Sequence, residues 1–151
     1  MTNKNFVVFI IGMRINKRWA IHKWWPVFTA MPKMLKELMM NKEKLGFHHY
    51  EMTMGTRVIK IVQYWNSIED LNSYARGEKH MRAWKDFYQK ANKNAAVGIY
   101  HETYYVTPNH YESFYSNMPI YGLAGAFGHE KITAHTATAK KRMNYYQNKS
   151  V

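Results

Sequence analysis

Two segments that are apolar on both strand faces constrain the fold of this chain more than any other feature. They are FVVFIIGMR at residues 6–14 and VIKIVQYW at residues 58–65. Side chains alternate between the two faces of a strand, so a run of this kind makes both faces of the sheet apolar. Such a sheet has to be covered on both sides. The sequence therefore predicts helices on one face and a second layer on the other.

A helical pattern follows the first strand. Its apolar residues recur three or four positions apart: Trp24, Phe28, Met31, Leu35 and Leu38. Pro26 suits a first helical turn, whereas Pro32 should kink the helix or restart it. Gly46 is placed to cap the end of this region.

The remaining segments extend the alternation of strands and helices. FHHYEMTMGTRVIKIVQYW predicts two strands joined around Gly55. Ser67 should open a helix with Asp70 as its capping partner, and ARGEK should break that helix. A second apolar stripe follows, made of His80, Trp84, Phe87 and Ala91. VGIYHETYYV at 97–106 predicts a strand, and YESFYSNM at 111–118 predicts a short extra one.

The resulting order, β-α-β-β-α-β plus an extra strand, predicts an α+β fold of the ferredoxin-like, split βαβ type. In that plan an antiparallel sheet carries its helices on one face. The other face needs a cover here, and sheet-to-sheet homodimerisation is the simplest one. We predict one domain over residues 1–128, followed by a polar, basic tail over residues 129–151.

Composition narrows the classes of function. The chain has no cysteine, which excludes disulfides, thiol nucleophiles and cysteine-ligated zinc. Its net charge of +12 would suit an anionic partner. The basic residues are dispersed, however, except in AKKRMNYYQNK near the C-terminus. We therefore interpret them as a solvated surface. Nucleic acid is not the expected partner, because the aromatic residues alternate with aliphatic ones inside the predicted elements.

No apolar run is long enough to span a bilayer, and we expect a cytoplasmic protein.

The adjacent residues His101 and Glu102 stand out in the strand 97–106. They point to opposite faces of a regular strand and therefore do not form a dyad. His101 shares the face of Ile99 and Thr103, which we expect to meet the helices, so it is either a core histidine or part of a pocket there. Glu102 should face a dimer seam or a sheet edge, in a structural ion pair.

His80 should enter the same space from the helix that carries Trp84. It is a candidate general base, a candidate haem ligand or a core residue. By contrast, His48, His49 and Glu51 provide too few convergent ligands for a metal ion, and we expect none to bind.

Four segments carry a family resemblance: VQYWNSIEDLNSYARGEKHMRAWKDF, VGIYHETYYV, YESFYSNMP and YGLAGAFG. They are similar to segments of the monooxygenase-like proteins, formerly a domain of unknown function, in the dimeric α/β-barrel superfamily of antibiotic-biosynthesis monooxygenases. The similarity extends roughly from Asn5 to Gly128. It implies a cofactor-independent monooxygenase that acts on a small aromatic or polyketide-like compound. The alternative is a non-catalytic protein of the same fold that binds a small hydrophobic molecule or haem.

The resemblance also implies where a site should lie. Relatives keep their pockets between sheet and helices, so His80 or His101 would be the catalytic base. Four further residues are expected to bind the substrate: Tyr64, Trp65, Trp84 and Arg14. In haem-degrading relatives a tryptophan late in the third strand and a histidine on the next helix flank the haem. Trp65 and His80 have that order, but Gly12 and Arg14 stand in the region of the asparagine that those relatives carry. We therefore expect no cofactor, with haem as the alternative.

The two-sided strands generate the first testable prediction, an obligate dimer through the sheet. Light scattering at micromolar concentration should give about twice the chain mass of 18.0 kDa. A well-folded monomer under these conditions would contradict the prediction.

Overall fold

The computed structural model describes residues 2–90, 95–108 and 110–144, apart from the side chains of residues 79, 83, 86, 87, 89 and 90. The predicted stripe positions at Phe87 and Ala91 therefore lie outside the described residues. The strands are β1 (Phe6–Ile15), β2 (Phe47–Met54), β3 (Val58–Trp65) and β4 (Val97–Val106). The helices are α1 (Ile21–Met40), α2 (Lys42–Leu45), α3 (Ile68–Ala75), α4 (Glu78–Lys90), α5 (Leu123–Phe127) and α6 (Ala139–Asn144).

The four strands form one antiparallel sheet in the order β2-β3-β1-β4. This arrangement confirms the predicted α+β, ferredoxin-like fold. β1 and β3 are the central strands, which explains why their sequences are apolar on both faces. β4 is an edge strand, and so is β2.

The parity of residue numbers decides which face of the sheet a side chain occupies in the central strands. Odd-numbered residues of β1 and β3 pack beneath the helices, with Val7, Ile61 and Trp65 almost completely buried there. The helices bring Leu35, Leu38 and Leu71 to the same core. At the other end of the sheet, Met13, Ile59 and Val97 form a smaller core under the N-terminal half of α1. The even-numbered residues therefore face away from the helices.

α1 is longer and more regular than the sequence suggests. It runs as one helix of 20 residues through both of its prolines. Pro26 lies in the second turn rather than the first, and Pro32 does not restart the helix, so the prediction for Pro26 is wrong. Each proline withholds one backbone N–H from the helix. Near Pro26 the hydroxyl of Thr29 donates to the carbonyl of Trp25 at 3.1 Å, whereas the carbonyl that loses its donor through Pro26 is that of His22, four residues earlier.

The predicted caps and turns are confirmed. Gly46 adopts a left-handed conformation, with φ 66° and ψ 25°, at the end of α2, and a Cβ there would collide with the carboxylate of Asp70. Ser67 caps α3 by accepting from the backbone N–H of Asp70 at 3.1 Å, and its hydroxyl donates to the Asp70 carboxylate. The turn from β2 to β3 closes where the N–H of Gly55 donates to the carbonyl of Val58 at 2.8 Å.

Part of the second sheet face is covered by the chain itself, through the segment 107–128. Phe6 of β1 packs against Tyr111 and Phe127, with ring centroids 5.0 and 4.8 Å apart. The short strand expected at 111–118 is wrong, since the described residues of that segment contain no strand. Its aromatic side chains cover the sheet instead of pairing along its edge, and the sequence pattern cannot distinguish these two uses.

The basic tail is attached to this same segment. Arg142 of α6 lies 2.7 Å from the carboxylate of Glu112, measured from Nε to Oε2, and its guanidinium lies over the ring of Phe114. None of the helices in the described part of the chain is long and apolar enough to cross a membrane.

An apolar strip of the second face is left beside segment 107–128. It includes Val8, Ile10 and Val62, which are only partly buried, and the ring of Tyr100, which packs directly over Gly12. Tyr100 is 43% exposed and Tyr104 is 50% exposed. This strip is the surface on which the predicted second subunit would pack, and dimerisation stays a prediction.

Glu51 joins segment 107–128 to the sheet, which gives the second testable prediction. Its Oε1 accepts from the N–H of Gly122 at 2.8 Å and lies 2.9 Å from Nε2 of His49. Replacing Glu51 by leucine leaves the N–H of Gly122 unsatisfied. We expect a loss of about 1–3 kcal/mol in unfolding free energy and faster proteolysis within 107–128.

Glu51→Gln is the matched control, because its amide oxygen still accepts from Gly122. Its loss in urea unfolding should be clearly smaller. Equal losses in both variants would show that the hydrogen bond to Gly122 does not hold the segment.

Candidate functional site

A cavity of about 960 Å³ lies between the sheet and the helices α1, α3 and α4. This volume is at the upper end of the range for small-molecule pockets. The cavity is partly open to solvent, and most of its wall is apolar. The sheet contributes Phe9, Ile11, Met13, Ile61 and Ile99, and α1 contributes Val27, Met31 and Met34. A wall of this kind favours an apolar or aromatic ligand.

His80 lines the cavity from the first turn of α4. Its ring forms a hydrogen bond with the backbone of Ala75, and its centroid lies 5.7 Å from the ring of Tyr74. Burial lowers the pKa of His80, and the bond to Ala75 only partly opposes this. The imidazole is therefore neutral near pH 7 and can accept a proton.

His101 lines the same cavity from β4. Its neighbours Ile99 and Thr103 also lie in the wall, so the assignment of this strand face to the helices is correct. The ring of His101 is exposed within the single chain and lies 5.7 Å from the ring of Phe9. His101 is thus not a buried core histidine. The two histidines reach one cavity from different elements, and their catalytic roles stay a prediction.

Of the four residues expected to bind substrate, the structure brings one to this cavity. Trp84 lies in its wall and is 42% exposed. Tyr64 and Arg14 project from the opposite face of the sheet. Tyr64 is enclosed there by Phe127, and burial, followed by the nearby Tyr115 hydroxyl, raises its pKa to about 12. The guanidinium of Arg14 donates to Asn16.

Trp65 occupies the helix-facing side of the sheet, but it lies in the core rather than in the cavity wall. Its ring is fully buried and packs against Phe47 and Tyr74. The indole N–H donates to Oε1 of Gln63 at 3.0 Å. Trp65 therefore contacts a residue of the site without lining the site itself.

Gln63 is the residue that the sequence reasoning missed. It lines the cavity although its side chain is only 8% exposed, and it is the buried polar residue of the described core. Alternation along β3 could have revealed it, since Gln63 interrupts the apolar series Ile59, Ile61 and Trp65 on the helix-facing side.

Helix α3 contributes further polar groups to the wall of the cavity. Tyr74 contacts both Trp65 and His80, and Asn72 of α3 also lines the wall. Burial, followed by the charge of Glu37, raises the pKa of Tyr74 to about 12, so its hydroxyl stays protonated. The wall of the cavity therefore combines hydrogen-bonding groups with a neutral imidazole.

Glu102 lies on the opposite face of β4. Within the described part of the chain, the hydroxyl of Tyr104 donates to it at 2.9 Å, and no cation forms the expected ion pair. Glu102 was expected at a dimer seam or at a sheet edge, and it lies on the edge strand β4.

The histidines of β2 also lie apart from the cavity. A bulge between Phe47 and His49 turns His48 towards Asn66 and Phe127. Among the described residues, no group of three histidine, aspartate or glutamate side chains could hold a metal ion.

Two solved structures with low sequence identity are similar to this chain. SnoaB, a cofactor-independent oxygenase from Streptomyces nogalater, aligns with a TM-score of 0.47 and 8% identity, over 66% of this chain and 91% of that protein. Aldoxime dehydratase in complex with butyraldoxime aligns with a TM-score of 0.61 and 13% identity, over 70% of this chain. The chain matches only 33% of the length of that dehydratase. At these identities the structural likeness concerns the fold alone.

A search of curated proteins by sequence found no match. A family model matches residues 6–123, which include the whole sheet, the helices around the cavity and most of segment 107–128. The described site residues His80, Trp84, His101 and Gln63 all fall inside this match. The chain belongs to the family described as monooxygenase af470-like.

Proposed function

We propose that this protein is a cofactor-independent monooxygenase whose substrate is a small aromatic or polyketide-like compound bound in the cavity between sheet and helices. One observation carries the proposal: two imidazoles line one largely apolar cavity, and burial keeps the imidazole of His80 neutral. The family membership supports the same chemistry.

The reaction needs a base, because molecular oxygen reacts slowly with neutral organic compounds and faster with electron-rich anions. His80 removes a proton from the substrate and leaves a phenolate or carbanion. That anion gives one electron to oxygen, and the two radicals combine into a peroxide. Loss of a second proton from the same carbon and cleavage of the O–O bond convert a CH₂ group and O₂ into a carbonyl group and water. The substrate supplies all the electrons.

The other residues of the cavity act on binding and orientation. The apolar residues of the sheet and α1 reduce the contact of the reacting carbon with water once the substrate fills the cavity, which strengthens electrostatic interactions in the site. Trp84 presents a broad ring against which a planar substrate can stack. His101 is the second candidate base, and its exposure in the single chain makes it suited to exchanging the proton with solvent.

The alternative function is non-catalytic binding of a small molecule or of haem in the same cavity. The observation that favours it is the histidine pair itself, since imidazole is a common axial ligand of haem iron. Adding haem to the purified protein distinguishes this branch. A Soret band that shifts on binding, and that is lost in His80→Gln or His101→Gln, would favour the alternative over the monooxygenase.

Replacement of the two histidines tests the monooxygenase. With a panel of quinols as substrates, His80→Gln should reduce oxygen uptake by roughly 10²–10⁴-fold, the usual size of a lost acid–base group. His101→Gln should reduce it by as much if His101 is the base, and His80→Gln should then have the smaller effect.

The control is His129→Gln, at an exposed position outside the cavity, which should behave as wild type. Circular dichroism should show that all three variants are folded. Uptake that both cavity variants retain would exclude acid–base catalysis by either histidine.

The lowered pKa of His80 also predicts a dependence on pH. Its pKa in the folded protein lies below the unfolded value of 6.5, so its contribution to stability is present above about pH 6.5 and is lost as the pH falls through the lowered pKa. Oxygen uptake should decrease over the same range because the base becomes protonated. His48 has the same sign of shift, so His80→Gln should flatten only part of the stability profile.

Urea unfolding between about pH 7.5 and about pH 5 measures the stability profile, and oxygen uptake over the same range measures the activity. Uptake that rises as the solution becomes acidic would contradict a neutral histidine base.

A further inference from the structure

We propose that the side-chain amide of Gln63 is a binding group for the substrate, and that it donates a hydrogen bond to the ionised oxygen of a hydroxyaromatic ligand. This inference deepens the proposed function and rests on the cavity being its substrate site. It assigns the ligand class, a phenol or naphthol, from the chemistry of one buried side chain.

The orientation of the Gln63 amide follows from its contact with Trp65. An indole N–H is only a donor, so the atom that it meets at 3.0 Å has to be the amide oxygen of Gln63. The amide nitrogen then points away from Trp65. Within the part of the chain that the structure describes, this nitrogen has no hydrogen-bond partner. Trp65, held by the core around it, is thus a positioning residue.

A buried donor without a partner is costly for the folded protein. Gln63 is only 8% exposed, and its exposed part faces the cavity. A ligand with an oxygen acceptor at this point removes the cost, because it accepts a hydrogen bond from the amide nitrogen. A purely apolar ligand would leave that nitrogen without a partner and shielded from water. The site therefore selects for a ligand that carries oxygen at this end.

The charges of the cavity wall favour a negatively charged oxygen. Three cationic side chains lie in the wall, from Lys23, Lys33 and Arg82, against the single carboxylate of Glu78. A hydrogen bond to an anion is also stronger than one to a neutral acceptor. Gln63 would therefore stabilise the substrate after the base has taken its proton.

The spacing of the sheet fits an aromatic ring system between Gln63 and His101. Gln63 pairs across the sheet with Phe9, which pairs with Thr103, and His101 lies two residues further along β4. With strands about 4.8 Å apart and a rise of about 3.4 Å per residue, the two Cα atoms are roughly 12 Å apart on the same face. Two ring contacts connect His80 to the neighbour of Gln63: the His80 ring lies 5.7 Å from that of Tyr74, which lies 5.7 Å from that of Trp65.

The test uses para-nitrophenol, whose ionised form absorbs in the visible range and whose nitro group makes it a poor electron donor to oxygen. Titration of the bound probe gives its pKa without any turnover. With wild-type protein the pKa of the bound phenol should be lower than with Gln63→Met by about one unit, the usual size of one hydrogen bond to a charged group. Gln63→Asn keeps a shorter amide and should give an intermediate value.

Nitrobenzene is the control ligand, because it fills the cavity without a hydroxyl group. It should bind to both wild type and Gln63→Met, which shows that the cavity is intact in the variant. The same bound pKa in wild type and Gln63→Met overturns the proposal, and so does a failure of para-nitrophenol to bind wild type. A Gln63-dependent pKa without oxygen uptake on quinols supports the binding site and refutes the monooxygenase.

Discussion

The alternation of side chains along the two central strands is the constraint on which the rest of the structure depends. Because β1 and β3 are apolar on both faces, the sheet cannot be stable with one layer of helices alone. Odd-numbered residues meet α1 and the helices that follow, and even-numbered ones meet segment 107–128 or remain for a second subunit. The candidate site and the covering segment therefore lie on opposite faces of the same two strands. Adjacent residues of β1 and β3 contribute to one or the other in turn.

Local chemistry explains which parts of the fold could be predicted from sequence. The cap at Gly46, the capping box at Ser67 and the turn at Gly55 each depend on residues within a few positions, and each was predicted correctly. The structure of residues 111–118 was not, because their aromatic rings contact Phe6 and other residues far away in sequence. The bulge in β2 was missed for a similar reason, since it depends on pairing with β3 rather than on a sequence signal in FHHYE.

The same parity explains the candidate site. His80 and His101 were expected in one space between sheet and helices, and both do line one cavity. Tyr64 and Trp65 were expected together at that site, but adjacent strand residues point to opposite faces, as the argument for His101 and Glu102 already required. The same alternation in β3 places the odd-numbered residues, Gln63 among them, on the side of the helices. What sequence alone could not give is the distance between Gln63 and Trp65, which decides how the amide is oriented.

Gln63 shows how stability and binding conflict at this site. A leucine or methionine at position 63 would continue the apolar series of β3 and satisfy every requirement of the core. The amide of glutamine can instead form four hydrogen bonds, two as donor and two as acceptor. Trp65 forms one of them by donating to the amide oxygen. A buried polar side chain with an unpaired hydrogen-bonding group is typical of functional sites, where it binds a ligand and is held in place by rigid neighbours. Trp65 is one such group, because its buried ring cannot turn without disturbing Phe47 and Tyr74.

The difference in burial between the two histidines suggests a division of labour in the cavity. In a cofactor-independent reaction the histidine base has to be neutral before it takes the proton of the substrate. It then has to release that proton to solvent. Burial gives His80 the first property, whereas the exposed ring of His101 has ready access to solvent. A second subunit on the opposite sheet face would leave this distinction unchanged, because the cavity lies on the helix side. The proposed proton removal at His80 therefore needs no residue of the opposite sheet face, and the predicted second subunit would contribute to stability.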